Sequence, residues 1–267
     1  MQANTRVRWR QILHCNMLIQ KIFLICARTD WDLAITSLKE LQQAIQDLRD
    51  GANQTIQCLA EYLRGVIAQG TGDLNTALAA FRNPIFRLDQ QASKASLNDP
   101  HRNAAILAGL NVVLILRDPS QHSFDASARA LADLEPFCQA SPNKNIQAAY
   151  SLISATIQTE STIQAKKGLN QALQAATAIS NCQVTCIMLT FMSWKYFRGV
   201  VGEQSEKSAM AARATAGRAD DKLWMSVSQE WLADTLDRQG KAGDARTARS
   251  EADKILETLP AALKKTN

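Results

Sequence analysis

The chain has 267 residues, with 30 Lys and Arg against 25 Asp and Glu and a formal charge of +5. Only 11 Gly, 6 Pro and 6% aromatics punctuate a background rich in Ala, Leu and Gln, and alternating Val, Ile, Thr and Tyr runs between turns are missing, which excludes a sheet protein. Basic residues are scattered among acidic ones, so charge alone does not single out nucleic acid, and 6 cysteines without a CxxC pair point to reduced thiols in an intracellular setting.

The amino-terminal stretch starts basic, with Arg6, Arg8 and Arg10, and then turns apolar. Gln11, His14, Asn16, Gln20 and Lys21 interrupt the apolar part and no small-residue cleavage site follows, so an amphipathic helix is expected rather than a signal peptide. No segment offers the ~20 apolar residues needed to span a bilayer. The Asn53-Gln54-Thr55 sequon is then expected to be coincidental.

Helical periodicity becomes explicit next. Ile56, Leu59, Ala60, Leu63 and Ile67 share one helical face, and Leu74, Ala77, Leu78, Phe81, Ile85 and Leu88 repeat that spacing. Between them, Gly70-Thr71-Gly72-Asp73 ends one helix and caps the next, which predicts an antiparallel hairpin. The run Val112 to Leu116 lies inside a longer apolar pattern and is expected to be buried helix. Ile146, Ala149, Tyr150, Ile153 and Ile157 give a further stripe, followed by Leu169, Ala172, Leu173 and Ala176. Breaks at 141–143, 218–221 and 239–243 help divide the chain into about a dozen helices, or about six hairpins.

The hairpins share spelling. In YLRGVIAQGTGDLNTALAAF, Gly65, Gly72, Asp73, Ala77 and Phe81 stand at tetratricopeptide-repeat offsets, with small residues where helices cross closely and Phe81 filling space towards the next repeat. Ala34 and Leu38 align with Ala77 and Phe81, while Gly240 and Ala245 align with Gly72 and Ala77. The expected fold is all-α: a superhelix of antiparallel helix pairs, built as one divergent tetratricopeptide-like array over 1–267 with long helices.

Three stretches carry a more particular likeness: EYLRGVIAQGTGDLNTALAAFRNPIF; NAAILAGLNVVLILRDPSQH with LADLEPFCQASPNKNIQAAYSLISATIQT; and YFRGVVGEQSEKSAMAARATAGRADDKLWMSV. Together they resemble the C-terminal half of fungal members of the cohesin-loading-factor family, the repeat subunit of the sister-chromatid cohesion loader. The resemblance implies a nuclear scaffold without catalytic residues or cofactors. Its implied partner is an extended segment of the large HEAT-repeat loader subunit, of adherin or Nipped-B type, and through it cohesin and chromatin. Family members are longer, so the chain corresponds to the later part of their array.

In such an array the concave groove is lined by the first helix of each hairpin. The candidate partner-binding positions are Tyr62, Val66 and Gln69 in the second hairpin, Tyr196 in the fifth, and Glu230, Asp234 and Asp237 in the last. Two alternatives stand beside this one: direct nucleic-acid binding by the array, and a generic adaptor for another protein.

Chemistry has little foothold in the sequence. Neither GxGxxG nor GxxxxGK[ST] occurs, and Gly70 and Gly72 form a turn fragment with no preceding strand. Cys182 and Cys186 share a helical face without a second pair and are expected in the core. His14, His101 and His122 are scattered, and Lys166-Lys167 and Lys264-Lys265 are expected to be solvated. Of the tryptophans, Trp31 occupies the place of Leu74 one hairpin earlier and is expected between helices.

Overall fold

In a computed structural model of the chain, the residues described are 2–27, 30–48, 54–88, 99–118, 120, 123–157, 162–178, 180, 182–198 and 202–259. Asn53, His122, Lys264 and Lys265 fall outside them, as do the side chains of Arg6 and Lys166. Among these residues there are twelve α-helices and no strand. They run α1 Gln2–Ala27, α2 Trp31–Gln46, α3 Gln54–Gly70, α4 Leu74–Phe81, α5 Pro100–Arg117, α6 Phe124–Ala140, α7 Lys144–Ile157, α8 Thr162–Ala178, α9 Cys182–Arg198, α10 Gly202–Arg218, α11 Lys222–Arg238 and α12 Ala242–Glu257. The helices pack as two compact units, Met1–Pro142 and Asn143–Asn267.

Within the first unit α1 pairs with α2, α3 with α4 and α5 with α6, and the first helices adjoin in the order α1, α3, α5. Local chemistry sets the boundaries. Asp30 and Asp73 accept from the backbone N–H three residues on, Leu33 at 3.2 Å and Thr76 at 3.0 Å, so each caps the second helix of its hairpin. Gly72 (φ +85°) takes the left-handed conformation that closes α3, and the Asp73 N–H returns to the Ala68 carbonyl at 2.9 Å. The apolar spacing from Leu74 to Leu88 predicts one long helix, but α4 stops at Phe81. Pro84 forces Asn83 into an extended conformation (φ −56°, ψ 135°), and Pro84–Phe86 forms a single 3-10 turn instead. Val112, Val113, Ile115 and Leu116 are buried within α5, as the sequence predicts, while Leu114 turns outward.

Close approach at small residues holds the second hairpin together. A Cβ on Gly65 would lie 2.5 Å from Cε1 of the buried Phe81 ring. Phe81 shares one buried cluster with Ala104, Ala105 and Ala108 of α5, so the core of this hairpin is continuous with that of the next. Gly70 is covered by the ring of Trp31, the inter-helix position expected for it, and a Cβ on Gly109 would lie 2.7 Å from Leu134 Cδ2.

The second unit pairs α7 with α8, α9 with α10 and α11 with α12, with α7, α9 and α11 adjoining. Beside Ile146, Leu169, Met188, Leu232 and Leu236, its interior holds many small groups: Ala209, Ala212, Ala216, Ala233, Ala245, Ala248 and Ala252 are all buried. Hydroxyls join the helices across this core. Ser193 donates to the Ser205 carbonyl at 2.8 Å, Ser205 donates back to the Ser193 carbonyl at 2.9 Å, and the Ser205 and Thr235 hydroxyls lie 2.9 Å apart. Buried oxygens are thereby satisfied while α9, α10 and α11 come close together. Gly240 (φ +77°) reproduces the Gly72 turn, with the Lys241 N–H bonded to the Leu236 carbonyl at 2.9 Å.

Gly65→Leu is expected to lower the melting midpoint, because overpacking costs about 1–3 kcal/mol against a helix-propensity gain of at most about 1 kcal/mol. Gly217→Ala, on an exposed helical site with nothing near its missing Cβ, is expected to leave the midpoint unchanged or raise it. Circular dichroism melts of the two purified variants check the contrast.

Candidate partner-binding surface

The groove positions have different surroundings in the two units. In α3, the Tyr62 ring lies between Phe23 of α1, at a centroid distance of 6.2 Å, and Phe81 of α4, at 5.7 Å. Its hydroxyl accepts from Asn111 of α5 at 3.4 Å, and burial pushes the phenol above its ordinary range. Tyr62 is therefore spent on packing, because aromatic neighbours from both sides close over it. Val66 joins the same cluster as a partly buried residue, and Gln69, also partly buried, gives its carbonyl to the Gly72 N–H at 3.1 Å. The surface beside them is polar: Glu61 holds Arg64 at 2.6 Å and accepts from Asn83 at 3.1 Å.

In the second unit, Tyr196 is partly buried on α9. Glu230, Asp234 and Asp237 follow one another along one face of α11 at spacings of four and three residues. Arg249 of α12 reaches Asp234 at 2.8 Å and Asp237 at 2.5 Å, with all three side chains roughly 40% exposed (40%, 45% and 39%). Burial, together with the nearby Asp253 and Asp234, raises the Glu230 carboxyl above its usual range, while Arg249 acts in the opposite sense. The result is an accessible acidic row, partly neutralised by one guanidinium.

The Gly72 and Gly240 turns bring Phe81 and Arg249 to the same repeat position, and likewise Tyr62 and Glu230. An aromatic wedge in one hairpin is an ion-pair clamp in the other. The sequence signal for Arg249 was available in the alignment of Gly240 with Gly72, but apolar periodicity gives no weight to an arginine at a packing position.

The remaining reactive groups are placed by packing. Cys186 is buried beside Ala212 and Ala216, and Cys182 is partly buried. Burial pushes the Cys26 thiol up to about 11 and those of Cys58 and Cys138 up to about 12, which keeps them protonated at neutral pH. His101 Nε2 contacts the Ile85 carbonyl at 2.8 Å and fastens the 3-10 turn to α5. His14 lines an open cleft with Gln11, Glu40, Gln43, Ala44 and Asp47. Among the described residues no group of three or more His, Cys, Asp or Glu could hold a metal ion.

The two equivalent positions predict opposite energetics. Phe81→Ala is expected to cost about 3–5 kcal/mol through lost burial and the cavity beside Gly65. Arg249→Ala is expected to cost ~1 kcal/mol or less, since exposed ion pairs are screened and entropically expensive. Denaturant unfolding of both variants measures the difference; equal costs would mean that the clamp, too, carries core packing.

Comparisons place this arrangement among known proteins. No curated protein matches the sequence. The fold is similar to that in the crystal structure of a Rap protein complexed with Competence and Sporulation Factor, with a TM-score of 0.62 and 11% identity over 92% of this chain and 66% of that one. It is also similar to NprR in complex with its cognate peptide NprX, with a TM-score of 0.57 and 13% identity over 95% of this chain and 68% of that one. BtubC (BKLC) from P. vanneervenii gives a TM-score of 0.55 and 13% identity, over 97% of this chain and 93% of that one. The chain thus spans about two thirds of the Rap and NprR chains and nearly all of BtubC. At these identities the likeness shows a shared helical-repeat fold. The sequence itself is matched by the model of the family described as Cohesin loading factor over residues 1–243 of the 267. The chain belongs to the cohesin loading factor family.

Proposed function

We propose that the protein is a non-enzymatic, protein-binding scaffold of cohesin loading, which holds an extended segment of the large HEAT-repeat loader subunit and so supports the loading of cohesin on chromatin in the nucleus. The observation that carries this is the family match across residues 1–243. The fold supports it, since NprR, one of the similar structures, is seen with a bound peptide. In this reading the chain forms a single superhelical array corresponding to the C-terminal part of longer fungal members.

The accessible carboxylates of α11 are the part of the candidate surface best suited to recognition. Asp234 and Asp237 are held by a pair interaction worth little in water, so exchanging Arg249 for a basic side chain of the partner costs little. Val66, Gln69 and Tyr196 supply partly buried flanks in their own units. Direct nucleic-acid binding is less well supported. In the second unit Lys207, Arg213, Lys241 and Arg249 are each paired with a carboxylate, within 3.1 Å, instead of forming an open basic stripe.

The tagged amino-terminal region of the large loader subunit is expected to retain the purified chain on beads, and the double variant Asp234→Ala, Asp237→Ala is expected to reduce retention several-fold with an unchanged melt. No retention of the unaltered chain overturns the scaffold reading. Equal retention of both forms overturns only the role given to α11.

A further inference from the structure

We draw no further inference here: the strongest candidate, the exposed apolar face of α1 formed by Trp9, Leu13, Met17 and Leu24 in the first unit, carries nothing because nothing in the structure shows what covers it.

Discussion

Everything in the first unit depends on how closely a second helix can approach the first helix of its hairpin. Gly65 has no side chain, so the Phe81 ring occupies the space a Cβ would take, and from there it packs on Tyr62 and shares one buried cluster with the alanines of α5. One ring thus fixes the crossing within a hairpin and the stacking between hairpins, which is why repeat stability is cooperative over neighbours. Trp31 over Gly70 and Leu134 beside Gly109 use the same device, a large side chain seated on a backbone that carries none.

The last two hairpins of the second unit bring their helices together largely through small groups. Rows of buried alanine bring the helices close, and the cost of the hydroxyls caught between them is removed by pairing Ser193, Ser205 and Thr235 with one another and with carbonyls. Where the first unit places Phe81, the last hairpin places Arg249 and moves the interaction outward into water. A packing position has become a charged one, with less stability drawn from it and more chemistry exposed. Divergent repeats use a fixed backbone in this way: the turn at Gly72 and Gly240 is retained, and the side chains it positions are exchanged.

This exchange also sets how far the sequence is legible. Periodic apolar residues and turn glycines gave the helix count and the hairpin pairing, because burial and left-handed turns leave marks that do not depend on distant partners. The end of α4 was legible too, in Pro84, but the apolar spacing through Ile85 and Leu88 pointed the other way and local backbone sterics prevailed. The candidate surface was less legible. Tyr62 stands at a position that would face a groove, yet its surroundings come from Phe23, Phe81 and Asn111, which lie far away in sequence. Glu230, Asp234 and Asp237 could be placed on one face by spacing alone, while the guanidinium that neutralises them comes from the following helix.

Position in the repeat and role at the surface are therefore separate questions, and the charge of each hairpin decides the second. An exposed carboxylate pair held by a single arginine can change partners at little energetic cost, whereas a tyrosine clamped between two phenylalanines cannot leave without opening a cavity. The same logic applies to α1. Its inner face is fixed by packing against α2 and α3, while at its edge Lys21 is held to Glu40 of α2 by an exposed ion pair. A stack of helices gains specificity at such places, where an accessible charged group can exchange its partner while the packed core stays fixed.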